Sequence, residues 1–184
     1  MSQEELDEVY KKLDDNVEYA NAVAKTTVDN QTRNLDNLMV NIYEDIISVE
    51  EPATSSIEKY FLELSNCLYF LGERLEKVGL YDDLSKAQAK EKYNNAYMDC
   101  VNPTDSKKKV TVAEAQTSAE NSAVYENMVS TIYARSYKIF KYKIDAAQTM
   151  LSSLSKMLSK RMQDAQMSMT TKDGSKQYLV EGTL

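Results

Sequence analysis

An all-α, elongated bundle of three to four helices, ending in one long coiled-coil-like helix, is the fold this sequence predicts. Its 184 residues include only four Gly and two Pro, so few positions interrupt a helix. Apolar residues recur in steps of three and four over long stretches, the spacing that keeps one stripe of a helix facing a partner. The longest such stretch, Thr111 to Gln166, holds neither Gly nor Pro.

Taken in order, Leu6, Val9, Leu13, Val17, Ala20, Ala24, Val28, Leu35, Leu38, Ile42, Ile46 and Val49 form a helical stripe over residues 3–49. Asn30-Gln31-Thr32 is a polar gap of weak helix formers, so this segment reads as one helix with a kink or as two shorter ones. Pro52 breaks the pattern, and Ser55-x-x-Glu58 reads as a capping box. Ile57, Tyr60, Phe61, Leu64, Cys67, Leu68, Leu71, Leu75 and Val78 then mark a second helix, with Gly79 placed as its C-cap. Asp82 or Asp83 would cap a third helix from Leu84 to about Cys100, burying Leu84, Ala87, Tyr93, Ala96, Tyr97 and Cys100. The polar run from Val101 to Lys109 is the next break.

Thr111-Val112-Ala113-Glu114 has the Ser/Thr-x-x-Glu form of a helix start. Behind it, Val129, Tyr133, Tyr137, Phe140, Ile144, Ala147, Leu151, Leu154 and Leu158 follow heptad spacing. At 1.5 Å per residue this helix would be roughly 80 Å long. Its seam therefore needs another long helix, from this chain or from a second copy, and Tyr133, Tyr137, Phe140, Ile144, Leu151, Leu154 and Leu158 are the expected oligomer contacts. Residues 167–184, with Asp173-Gly174 and Gly182, read as a frayed tail or a short hairpin. The chain thus divides into an acidic helical arm (1–51), a helical hairpin (52–103), a long basic helix (104–168) and a flexible tail (169–184).

The net charge of −7 conceals an asymmetry. Residues 1–51 carry thirteen acids against four bases, whereas residues 104–184 carry eight against twelve. The two ends can attract each other, within one chain or between copies. With no His in the sequence there is no His-based catalysis and no His metal ligand. Acidic pairs such as Asp14-Asp15, Glu44-Asp45 and Glu50-Glu51 read as solvated faces, and no zinc spacing, calcium loop or phosphate loop occurs. Cys67 and Cys100 sit in apolar helical patterns and read as structural thiols. An acidic start and no long apolar run predict a cytoplasmic protein without a membrane span.

One set of residues points to a partner. Arg135, Lys138, Lys141 and Lys143 are interleaved with Tyr133, Tyr137 and Tyr142, followed by Lys156, Lys160 and Arg161 and preceded by Lys107-Lys108-Lys109. Cations neutralise phosphates, and tyrosine rings stack on unpaired bases. Against this, the same rings serve a helix seam and the same bases a solvated face. Met150, Met157, Met162, Met167 and Met169 read as filling near a helix end.

Cys67-Leu68-Tyr69-Phe70-Leu71-Gly72-Glu73-Arg74-Leu75-Glu76, the Ala/Lys-rich Ser85 to Tyr93, the Lys109-to-Ala115 start of a long helix and the basic Ile144-to-Met162 segment follow one another in a set order. That order resembles the helical recombination mediators of tailed phages, the UvsY-like proteins, over about 60% of the chain, from Ser56 to Gln166. The resemblance implies single-stranded DNA binding, ring-like oligomers and help in loading a recombinase in the host cytoplasm. The acidic arm and the negative overall charge depart from that pattern.

The expected function is therefore that of a phage-type recombination accessory protein, with no catalytic activity and no cofactor. Single-stranded DNA and a recombinase are the expected partners, besides further copies of the chain. The alternatives are an inhibitor of a host nucleic-acid enzyme, in the manner of anti-CRISPR proteins, and a coiled-coil scaffold.

Overall fold

Four α-helices follow one another in the computed structural model: α1 (Gln3–Ile42), α2 (Thr54–Val101), α3 (Val112–Ser122) and α4 (Val124–Val180). The structure describes the backbone of residues 3–102 and 110–180 and the side chains of residues 17–102 and 110–169. No strand occurs among the described residues, so the fold is an all-α bundle with a long C-terminal helix, as the apolar spacing predicts. Lys107, Lys108 and Lys109 lie outside the described residues.

Helix α1 passes through Asn30-Gln31-Thr32 without a break. Thr32 is fully buried, its hydroxyl donates to the Val28 carbonyl at 3.0 Å, and Thr32 Oγ1 in turn accepts from Lys143 Nζ at 2.9 Å. Tertiary packing thus outweighs weak local propensity. After Ile42 the chain makes one π-helical turn, Tyr43–Ile47, closed by Ser48 N donating to Tyr43 O at 2.9 Å. The wider turn keeps Ile42 and Ile46 both buried, at 0% and 1% exposure, while the chain turns toward Pro52.

Helix α2 corrects the expected hairpin. It starts at Thr54, so Ser55 lies inside the first turn rather than at the cap, and it continues unbroken past Gly79 to Val101. Gly79 keeps a negative φ and is no C-cap. Its role is close approach: a Cβ there would meet the Tyr137 ring of α4 at 3.2 Å. Asp82 is buried in mid-helix instead of capping, while Leu84 and Ala87, expected to be buried, are exposed.

The Thr111 start of α3 forms as the sequence predicts. Glu114 N donates to Thr111 Oγ1 at 3.3 Å, and Thr111 N donates to Glu114 Oε2 at 2.8 Å. Those bonds, the backbone one first, hold the Glu114 carboxyl below its usual range. The single long helix expected from Thr111 is instead divided at Ala123, where φ is −100° and ψ is 5°. The Ala123 N–H is shared between Ala119 O and Glu120 O, at 3.1 and 3.2 Å. Ser122 Oγ donates back to Ser118 O at 2.9 Å, the local competition that bends helices. At the other end α4 runs to Val180, so the backbone through Asp173-Gly174 is helical rather than a tail or hairpin. Residues 181–184 lie outside the described residues.

Close packing divides the described residues into two units, one within Met1–Thr32 and Leu71–Lys143, the other within Arg33–Phe70 and Ile144–Leu184. Their cores differ in chemistry. The first is built largely of small side chains, Ala20, Ala24, Ala89, Ala115, Ala119 and Ala123, with Phe140 its largest. It also holds every buried polar residue among those described: Thr32, Asp82, Ser85 and Ser136. The second is packed with Leu35, Ile42, Ile46, Ile57, Leu64, Ile144 and Leu154. Each large aliphatic side chain buried there contributes about 1.5–3 kcal/mol, well above what an alanine supplies.

Three of the seven expected seam residues are buried within a single copy. Phe140, Ile144 and Leu154 are 0%, 6% and 0% exposed in a single copy. Tyr133, Tyr137, Leu151 and Leu158 are half-buried, and Ser136 fills a seam position that the apolar pattern skipped. The methionine expectation fails in part: Met162, Met167 and Met169 are exposed, at 64%, 70% and 72%.

Candidate nucleic-acid interface

The candidate site is the solvent face of α4 between Asn127 and Ile144. This stretch carries Arg135, Lys138, Lys141 and Lys143 and contains no Asp or Glu, in a chain whose net charge is −7. Ser136 and Phe140 point into the core of the first unit, so the helical repeat turns the intervening residues outward. Arg135, Lys138 and Tyr142 are spaced by three and four and share one face, with Lys141 on the flank. All four are exposed, Tyr142 to 73%. None of Arg135, Lys138 and Lys141 pairs with a carboxylate among the described residues. The arrangement is a tyrosine ring bare to solvent and flanked by unneutralised cations.

Lys143 leaves this group. Its Nζ donates to Asp29 Oδ1 of α1 at 2.8 Å and to Thr32 Oγ1 at 2.9 Å, and only 21% of its side chain is exposed. It fastens the acidic first helix to the basic last one and is not a surface cation. The sequence shows its charge and its place off the Arg135 face, but not the Asp29 partner 114 residues away.

In the second unit, Lys156 and Lys160 are exposed. Arg161 is half-buried and donates to Thr54 Oγ1 at 2.9 Å, so one of its donors serves the fold. These three belong to a different unit from the Arg135 group. Tyr133 and Tyr137 also separate from Tyr142: they pack against α2, Tyr133 beside Tyr81 and Tyr137 over Gly79. Of the tyrosines interleaved with the bases, Tyr142 is the one exposed on the outer face of α4.

Among the described residues no group of three or more Cys, Asp or Glu is placed to hold a metal ion. Among the same residues, no helix is long and apolar enough to cross a membrane. Cys67 and Cys100 are each half-buried and form no disulfide. No family model, curated protein or solved structure matches the chain.

Proposed function

We propose that this chain is a non-enzymatic protein that binds single-stranded DNA on the outer face of α4, in the manner of a phage-type recombination accessory protein that assists recombinase loading. The observation that carries the reading is Tyr142, 73% exposed beside the three exposed cations Arg135, Lys138 and Lys141 in an acid-free run. An exposed ring costs hydration without contributing to the core, and a base stacked on it recovers that apolar area. Arg135, Lys138 and Lys141 meet the phosphates on either side, since each cation placed there releases condensed counterions. Duplex DNA hides its base faces, so a ring among cations favours the unpaired strand. The resemblance to the UvsY-like mediators points to the same ligand.

The test is fluorescence anisotropy of a labelled single-stranded oligonucleotide at low and moderate salt, with wild type and Tyr142→Ala. Wild type binds more weakly as salt rises, and Tyr142→Ala loses about tenfold in affinity at both salts. If wild type fails to bind at low salt, the reading is wrong. The net charge of −9 over residues 1–51 then makes an inhibitor that covers a basic nucleic-acid enzyme the better account.

A further inference from the structure

The first unit contains a groove of about 370 Å³ that the α4 face does not use. Its rim carries Arg74 and Lys77 from neighbouring positions on one side of α2, and its walls carry Tyr81 from α2 and Tyr133 from α4. The two tyrosine rings lie with centroids 5.5 Å apart and planes inclined by 34°. Tyr81 is 42% exposed, so part of its ring borders open space. No Asp or Glu lines the groove.

The cations are prepared for an anion. Arg74 Nη1 donates to the backbone carbonyl of Gln31 on α1 at 3.1 Å, which holds the guanidinium over the groove. A guanidinium has five N–H donors, so most of them remain for a ligand. Lys77 stands three residues on, beside Arg74 on the same helical side, and has no carboxylate partner among the described residues. The Thr27 and Ser136 hydroxyls, which also line the groove, donate to Val23 O and Ile132 O, at 2.9 and 2.8 Å. Their lone pairs are what they offer the groove, while the Gln31 amide offers both a donor and an acceptor.

We infer that this groove seats one unpaired nucleotide, its base against the Tyr81–Tyr133 pair and its phosphate between Arg74 and Lys77. The inference rests on the reading of the chain as a single-strand binder and gives that reading a second contact, in a half-open groove. Three features select this ligand. Paired cations without an opposing acid match a phosphate, and the aromatic wall with polar groups behind it matches a flat, hydrogen-bonding base. The volume lies at the small end of the ~300–1,000 Å³ of ligand sites, which suits one nucleotide and excludes a duplex.

Photo-crosslinking tests it, using an oligothymidylate with one 5-iodouracil and peptide mapping by mass spectrometry, alongside anisotropy with Lys77→Glu and Tyr81→Ala. The expected adduct falls on the peptide of Tyr81 or Tyr133. Lys77→Glu, an exposed change that keeps the helix, should weaken strand binding about tenfold with unchanged circular dichroism. Tyr81→Ala should lower the adduct yield at least fivefold, and Lys77→Glu serves alone should Tyr81→Ala fold poorly. Binding by Lys77→Glu within twofold of wild type, or adducts on Tyr142 alone, overturns the groove while leaving the α4 face standing. Failure of wild type to bind the strand at low salt overturns both.

Discussion

Lys143 of α4 and Asp29 of α1 meet at 2.8 Å, and the same ammonium reaches Thr32 Oγ1 at 2.9 Å. The sequence places one of these groups in an acidic segment and the other in a basic one. Their contact turns that charge asymmetry into a fastening inside the first unit.

Lys143→Ala should therefore lower stability rather than DNA affinity. The pair is partly exposed, at 21% and 42% for the two side chains, so solvent screens it and the loss is about 1 kcal/mol. For a chain of this size that is roughly 2–4 °C in Tm. The salt dependence of single-strand binding should match wild type. A flatter dependence with unchanged Tm would return Lys143 to the DNA-binding surface.

Tyr60 donates a hydrogen bond to Asp45 Oδ2, tying the first turns of α2 to the π-helical turn. That bond, then burial, then the Asp45 charge push the phenol from its ordinary 10.0 up to about 12. A raised value means the folded state holds the proton more tightly than the unfolded chain does. The stabilisation is complete below pH 10 and is lost as pH rises through 12. Tyr60→Phe should cost about 2 kcal/mol at neutral pH and flatten stability between pH 10 and 12, as read by urea melts. An unchanged alkaline limb in Tyr60→Phe would assign that limb to other tyrosines.

Asp82 is 8% exposed, with Oδ2 held by Lys86 Nζ at 2.7 Å and Oδ1 buried without a hydrogen-bond partner. A buried, unsatisfied carboxylate oxygen costs about 1–3 kcal/mol, whereas an apolar side chain of similar size removes that cost. Asp82→Leu should accordingly raise Tm by a few degrees in thermal circular dichroism. A fall in Tm would mean that Asp82 has a partner the fold depends on.

The two cores should also differ in dynamics. Backbone amides of α2 near Ser85 and Ala89, set among small and polar neighbours, should exchange hydrogen faster than those near Ile57 and Leu64. Exchange mapped by mass spectrometry reads this directly, and uniform protection along α2 would contradict it.

The helices and most of the core were legible because burial on a helix recurs every three to four residues. Leu35, Ile42, Ile57, Leu64, Phe140 and Leu154 all stand where that spacing puts them. What was not legible depended on neighbours distant in sequence. Gly79 has the local chemistry of a helix end, yet the Tyr137 ring lying on it makes it a mid-helix contact. Ser136 breaks the apolar rule and is buried all the same. Within the candidate sites, Arg135, Lys138, Lys141 and Tyr142 stood out as a local charge pattern. Arg74, Lys77 and Tyr81 did not, because only the crossing of α1 and α4 against α2 makes a groove of them.

The central claim is that the α4 face binds single strands. The most direct measurement is the salt dependence of oligonucleotide affinity for wild type and for the triple variant Arg135→Ala, Lys138→Ala, Lys141→Ala, with helicity checked in parallel. Removing one cation from a phosphate flattens the slope of log affinity against log salt by about 0.7 for a single strand. The account predicts a triple variant of wild-type helicity, much weaker at low salt, with a slope shallower by about 2. A triple variant that binds with the affinity and slope of wild type would contradict it.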